Sequence, residues 1–115
     1  MKYRKHVSEP WFSLIRDGRK TVEGRLNKGD FAKMNVGDIV EWFTKGKDST
    51  IKTRVMRTTP YDNFLEYLET EGVKKTLPVG YVKTPEEGVE RVYRKYFSEE
   101  AEAEHKVLAI EIQRL

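Results

Sequence analysis

The stretch Gly-Arg-Lys-Thr-Val-Glu-Gly-Arg at residues 18–25 decides how this 115-residue chain is interpreted. It places Lys20, Glu23 and Arg25 close together where a predicted helix at 9–17 meets a predicted strand at 21–26. A junction of this kind can project several charged side chains into one cleft. No other segment of the sequence resembles a reaction centre.

The periodicity around this stretch indicates how the three charged residues can meet. Gly18 suits the position just past the end of a helix, where a positive φ costs little. In the strand that follows, Glu23 and Arg25 share one face, with their Cα atoms roughly 7 Å apart. Lys20 has the opposite parity, so it can join Glu23 only if it lies in the loop before regular strand geometry begins, or at a bulge.

The remaining patterns predict one α+β domain covering residues 1–115, with elements in the order β-α-β-β-β-α-α-β. Strands are expected at 3–7, 39–43, 50–57 and 107–112, and the last should be central because both of its faces are apolar. One helix is expected to begin at Pro60 and another at Thr84, which is a good N-cap. Residues 27–38 and 73–83 are expected to be turns and loops, and residues 98–104 a solvated acidic stretch. Short strands around a central hairpin favour a small, curved mixed sheet with helices outside it.

Composition excludes several classes of site. The chain has no cysteine and only two histidines, so disulfides are excluded, a zinc site is not expected, and no cofactor is indicated. No apolar run is long enough to span a bilayer, and we expect a cytoplasmic monomer. The abundance of Lys, Glu and Arg and the scarcity of Asn and Gln are typical of proteins from hot environments.

Charge is distributed unevenly along the chain. Residues 1–58 hold 14 Lys and Arg against 7 Asp and Glu, whereas residues 59–115 hold 8 against 12. The basic half includes a hairpin next to Trp42 that could bind nucleic acid, through Lys45, Lys47, Lys52 and Arg54. The alternative is that these cations only solubilise an edge strand while Trp42 lies in the core.

The junction residues have two interpretations of their own. A carboxylate beside two cations stays ionised, and cations with free donors recognise phosphate or a polarised carbonyl. A lysine of lowered pKa could also act as a base. Thr21 lies beside it in the sequence and is a candidate nucleophile. Lys20, Glu23 and Thr21 are therefore the catalytic candidates. The competing interpretation is a surface ion pair between Glu23 and Arg25 that contributes little.

The spacing Gly18-x-Lys20-x-x-Glu23-x-Arg25, after a helix containing tryptophan, resembles the signature of the ASCH family. The segment Val36-Gly37-Asp38-Ile39-Val40 and the final Val-Leu-Ala-Ile-Glu-Ile strand are similar as well, so the resemblance covers nearly the whole chain. It implies a PUA-like β-barrel with peripheral helices that binds RNA or nucleosides in a cleft. The ligand-binding residues carried over by position are Gly18, Arg19, Lys20, Glu23 and Arg25.

Some bacterial relatives in that family are amidohydrolases that remove the acetyl group from N4-acetylcytidine with a Lys-Thr-Glu set. Lys20 matches their lysine, but Glu23 stands where they have threonine, and residues 73–83 offer no clear match for their second carboxylate. The sequence therefore predicts an RNA-binding or nucleoside-binding protein. An amidohydrolase or nuclease acting on a modified nucleoside is the alternative. For the binding function we expect alanine at Lys20 or Arg25 to weaken RNA binding with little change in melting temperature.

Overall fold

The computed structural model describes all 115 residues, and its strands form one curled five-stranded sheet. The strands are β1 (Lys2–His6), β2 (Val22–Leu26), β3 (Ile39–Phe43), β4 (Ile51–Tyr61) and β5 (Val107–Arg114). Their order across the sheet is β1-β3-β4-β5-β2. β1 and β3 are parallel, and all other neighbours are antiparallel.

The sheet is a half-barrel whose two edge strands, β1 and β2, approach each other without pairing. Arg25 of β2 donates from Nη2 to the carbonyl oxygen of His6 at the end of β1, at 2.8 Å. This side chain therefore crosses the gap between the edges. The α+β class with a mixed sheet predicted from the sequence is confirmed.

The helices lie outside this sheet. They are α1 (Trp11–Arg16), α2 (Gly29–Lys33), α3 (Phe64–Glu71), α4 (Val73–Thr76), α5 (Pro85–Gly88), a π-helical segment (Val89–Tyr93), α6 (Arg94–Tyr96) and α7 (Glu99–His105). The Thr84 side chain accepts a hydrogen bond from the amide of Glu87, so the predicted cap is confirmed. α2 and α4 fall in segments expected to be turns and loops, where helices this short leave little periodic pattern. None of the helices has the length and apolar character needed to cross a bilayer.

The prediction of a helix beginning at Pro60 is wrong. β4 continues through Pro60, which lies opposite Leu108 in β5. A register shift between Val55 and Arg57 lets β4 bend and keep pairing with β5 beyond the bulge. α3 begins only after Asn63, whose side chain accepts from the amide of Glu66. The long-range pairing with β5 outweighs the local preference of proline for a helix start.

The acidic stretch at 98–104 is also more ordered than the sequence suggests. It forms most of α7, capped by Ser98, and it contains one buried carboxylate, Glu102. Glu102 accepts from the amide of Phe64 at 2.6 Å and from Arg94 Nη2 at 2.9 Å. This carboxylate joins α7 to the start of α3 and to α6.

An aromatic cluster joins these helices to β2. The Phe64 ring stacks on Tyr93 with centroids 4.4 Å apart and on Phe97 with centroids 5.2 Å apart. Tyr67 packs edge-on against Phe64 and lies directly over Gly24 of β2. The cluster fixes the segment 89–97 over the edge of β2, where it meets the gap between the edge strands.

Candidate functional site

A cleft of about 250 Å³ lies in the gap between β1 and β2. Its polar lining includes Lys20, Glu23 and Arg25, and its walls come from α1 and from the segment 89–97. The three charged residues therefore converge in one concave site and do not spread over an exposed ridge.

The turn after α1 explains how Lys20 reaches the cleft. Gly18 adopts a φ of 75°, which reverses the chain as a glycine readily allows. The amide of Lys20 then donates to the carbonyl of Leu14, so Lys20 is still held by α1. β2 begins only at Val22. Lys20 therefore precedes the strand and escapes its alternation, as the parity argument requires.

The Lys20 side chain is buried and has no free donor. Its Nζ lies 3.2 Å from Glu23 Oε1, donates to the carbonyl of Val22 at 3.0 Å, and donates to the carbonyl of Thr76. Three N–H groups directed at three acceptors require the ammonium form, since a neutral amine has only two. Lys20 is thus a buried cation at the floor of the cleft.

Glu23 is bound through both of its oxygens. Oε1 contacts Lys20 and accepts from the amide of Gly24 at 3.2 Å, and Oε2 accepts from Arg25 Nε and Nη2 at 3.2 and 3.1 Å. The Ile112 amide of β5 donates to the carbonyl of Thr21. In an antiparallel ladder alternate residues pair with the neighbouring strand. The amide of Gly24, three positions after Thr21, therefore points away from β5 and is free to donate to Glu23. By the alternation of an antiparallel ladder the carbonyl of Gly24 points to the same open side of β2, and Gly24 lines the cleft.

Arg25 is the member of the triad that a ligand can reach. Its side chain is 22% exposed, against 1% for Lys20 and 6% for Glu23. Its guanidinium lies over Phe31 at 4.8 Å and near Trp42 at 5.7 Å. Glu23, His6 and these rings hold the guanidinium in one orientation, and the contacts above leave Nη1 without a partner.

The electrostatics follow from burial among opposite charges. Burial raises the pKa of Glu23, but attraction to Lys20 and Arg25 outweighs it, and the net pKa lies below its ordinary value of 4.5. Burial lowers the pKa of Lys20, and the neighbouring Glu23 carboxylate opposes that change. Glu23 is therefore ionised at neutral pH.

Acid is expected to destabilise the protein partly through Glu23. A carboxyl whose pKa is depressed by folding contributes stability above its unfolded pKa and loses it as the pH falls through the folded pKa. The free energy of unfolding should thus fall as the pH drops below about 4.5, the ordinary value. Urea unfolding across this range should give a shallower dependence for Glu23→Gln than for the wild type. Parallel curves for the two proteins would contradict the assignment.

Aromatic side chains form the walls of the cleft. The hydroxyl of Tyr96 lies 2.9 Å from Ser8 Oγ and accepts from Trp11 Nε1 at 3.3 Å, which connects α6 to α1 across the cleft. Tyr93 and Phe97 line the same wall. No pattern in the sequence identified these residues as functional. Their spacing of three and four positions is the available signal, but any amphipathic helix shows the same spacing.

The other predicted site residues lie elsewhere. Gly18 forms the turn described above, and Thr21 lies outside the cleft, with its amide bound to the carbonyl of Lys75. Arg19 borders a separate shallow depression beside α4. The hairpin cations do not line the cleft either; they are Lys45, Lys47, Lys52 and Arg54. Any part these residues play in binding or catalysis stays a prediction.

Metal binding has no evident place in this arrangement. No group of three or more His, Asp or Glu side chains is positioned to hold a metal ion. The carboxylate in the cleft, Glu23, is already occupied by its two cationic neighbours.

Comparison with known proteins gives a family and two similar structures. The model of the ASCH domain matches residues 6–115. The crystal structure of hypothetical protein PH0355 is 38% identical, with a TM-score of 0.87 and full coverage of both chains. The solution NMR structure of protein PF0455 from Pyrococcus furiosus is 36% identical, with a TM-score of 0.78, covering 100% of this chain and 98% of that one. Among curated proteins no relative matches. The predicted family resemblance and the PUA-like fold are confirmed.

Proposed function

We propose that this chain, which belongs to the ASCH domain family, binds a single nucleobase of RNA or of a nucleoside in the cleft between β1 and β2. The family is generally RNA-binding in character. One observation carries the proposal: a half-buried arginine of fixed orientation, Arg25, lies in a cleft with aromatic walls.

The dimensions of the cleft favour a small flat ligand. A volume of about 250 Å³ is below the roughly 300–1,000 Å³ of pockets that accept drug-sized molecules. Stacking of a base on an aromatic ring contributes about 1–3 kcal/mol per base. Among the rings that line the cleft, Tyr96 is exposed and Phe97 is half-buried, whereas Trp11 and Tyr93 are buried. Tyr96 and Phe97 therefore provide the ring surface of this kind.

The polar groups in the cleft fit the edge of a base. A guanidinium donates well to the carbonyl and ring-nitrogen acceptors of bases, and Arg25 is oriented for this by Glu23. The carbonyl of Gly24 offers an acceptor for an exocyclic amino group. A base that presents an acceptor beside a donor can satisfy both groups. Lys20 and Glu23 then act by positioning Arg25, because their own polar atoms are already bound.

Hydrolysis of a modified nucleoside is the alternative, and the geometry favours it less. A general base needs a free lone pair within reach of the proton that it removes. The Lys20 nitrogen donates to three acceptors, and both Glu23 oxygens accept from cations. Thr21 lies outside the cleft. Binding without turnover is therefore the function that these contacts support best.

Nucleoside titration tests the proposal. We expect at least one of adenosine, guanosine, cytidine, uridine and N4-acetylcytidine to shift cleft resonances in an NMR titration. Arg25→Lys keeps the charge but loses the planar fork, and it should weaken this binding roughly tenfold, the usual size of one good base contact. Arg91→Lys is the matched control, because Arg91 pairs with Glu87 on an exposed helix surface. Equal affinity for Arg25→Lys and the wild type would contradict the proposal, and conversion of the nucleoside during the titration would replace it with hydrolysis.

A further inference from the structure

We propose that the outer face of β1, β3 and β4 binds the backbone of a single-stranded polynucleotide, one base of which enters the cleft. This inference rests on the proposed function and narrows its ligand from a free nucleoside to a base within a chain. The cations and rings of this outer face are Lys2, Arg4, His6, Phe43, Lys52 and Arg54.

Strand register gathers these residues from separate parts of the sequence. Arg4 of β1, Glu41 of β3 and Lys52 of β4 are partners in one row across the sheet, and Lys2, Ile39 and Arg54 form the next row. Adjacent strands lie about 4.8 Å apart, so the cations of both rows share one compact surface. The alternate residues Tyr3, Val40 and Thr53 are buried, which directs the outer set toward solvent.

The charge on this face is strongly positive. Lys2 and Arg4 have side chains 57% and 61% exposed, and the single carboxylate between them is Glu41. Lys52 and Arg54 are exposed and form no ion pair. The four cations of this face all come from the half of the chain that carries the excess of Lys and Arg. A surface with unpaired cations of this kind attracts the phosphates of a nucleic acid whatever its nucleotide sequence.

Aromatic rings continue this face into the cleft. The Arg4 guanidinium lies 4.3 Å from the centroid of the Phe43 ring, and the His6 ring meets Phe43 edge-on at 5.4 Å. His6 also lines the cleft. Phosphate-binding cations, rings that can stack on a base, and the cleft thus follow one another without interruption. This order suits a single strand with one base inserted and its neighbour stacked on Phe43 or His6.

The outer face differs from the hairpin first suggested by the sequence. Lys47 pairs with Glu9 at 3.1 Å and lies near the Phe12 ring. Its charge is therefore partly compensated at the base of α1. Lys52 and Arg54 belong to the face by register, whereas Lys45 and Lys47 lie in the connection between β3 and β4.

Fluorescence anisotropy with labelled single strands tests the inference. The probes are homopolymers of RNA and DNA about 12 nucleotides long, within the range that small binding domains cover. We expect them to bind more tightly than the matching nucleoside, with an affinity that falls as salt rises from about 50 to 200 mM. Lys52→Ala/Arg54→Ala should weaken strand binding roughly five- to tenfold. It should also make the slope of log affinity against log salt concentration shallower by about 1.4, because each phosphate contact to a single strand contributes about 0.7. Lys74→Ala/Lys83→Ala removes the same charge from other elements and should leave strand binding unchanged.

The outcomes separate this inference from the function on which it depends. Nucleoside binding should be the same in Lys52→Ala/Arg54→Ala and in the wild type, because neither residue lines the cleft. Strands that bind no tighter than nucleosides, or equal losses in both double variants, would overturn the inference and leave the cleft intact. Strand binding that depends on the outer face while no nucleoside binds would instead overturn the proposed function.

Discussion

Replacing Lys20 with methionine is expected to lower the free energy of unfolding by about 3–5 kcal/mol, the usual cost of breaking a buried ion pair. Methionine is of similar length and fills the space of the lysine side chain. The loss of unfolding free energy therefore comes mainly from removing the charge and only slightly from leaving a cavity. Glu23 would keep only Arg25 as a charged partner, and the carbonyls of Val22 and Thr76 would each lose a donor. Urea unfolding at neutral pH measures the change.

Two variants make this result specific to the buried pair. Lys47→Met breaks an exposed ion pair, because the side chains of Lys47 and Glu9 are each 38% exposed. This change should lower the free energy of unfolding by at most about 1 kcal/mol. In a Glu23→Gln background, Lys20→Met should cost clearly less than in the wild type, because the carboxylate that it compensates is absent. A loss of under about 1 kcal/mol for Lys20→Met alone would show that Lys20 is not held as a buried cation. The burial of Lys20 also revises our expectation that its replacement would leave the melting temperature unchanged.

Gly24→Ala is expected to destabilise the protein by about 1–3 kcal/mol, the cost of overpacking a dense interior. A Cβ atom at Gly24 would lie 2.5–2.6 Å from two ring carbons and the hydroxyl oxygen of Tyr67. Tyr67 is fully buried and cannot retreat easily, because its hydroxyl lies 3.0 Å from that of Tyr93 and its ring packs on Phe64. Thermal and urea unfolding should both report the loss.

Gly80→Ala provides the matched control for this prediction. Nothing lies within 4 Å of a Cβ at Gly80, and its φ is not positive, so the change should be neutral or slightly stabilising. Adding Tyr67→Leu to Gly24→Ala should give a loss smaller than the sum of the two single losses, since the smaller side chain makes room for the methyl group. Additive losses would show that the two residues do not compete for the same space.

Local patterns in the sequence predicted much of the architecture. The last strand was expected to be central because both of its faces are apolar, and β5 lies between β4 and β2. The cap at Thr84 was also found as predicted. The helix start at Pro60 failed because pairing between β4 and β5 depends on residues far apart in the chain, which a local window does not contain.

The candidate site was predicted in part. The junction at 18–25 identified the three charged residues that meet in the cleft. It did not reveal that Lys20 and Glu23 are buried and fully hydrogen-bonded, or that Arg25 alone is accessible. The aromatic wall was missed because Tyr93, Tyr96 and Phe97 reach the cleft only when their helix packs over β2.

The sequence by itself determined where most of the strands lie and which charged side chains share one junction, but not the short helices α2 and α4 or the extent of β4. These features follow from side-chain periodicity and backbone preferences, which act over a few residues. Only the tertiary structure decided that β1 and β2 approach without pairing, that Arg25 crosses the gap to His6, and that aromatic residues enclose it. The physical reason is that the curl of the sheet and the packing of helices on it arise from contacts summed over the whole chain, and these contacts set burial and access at each site.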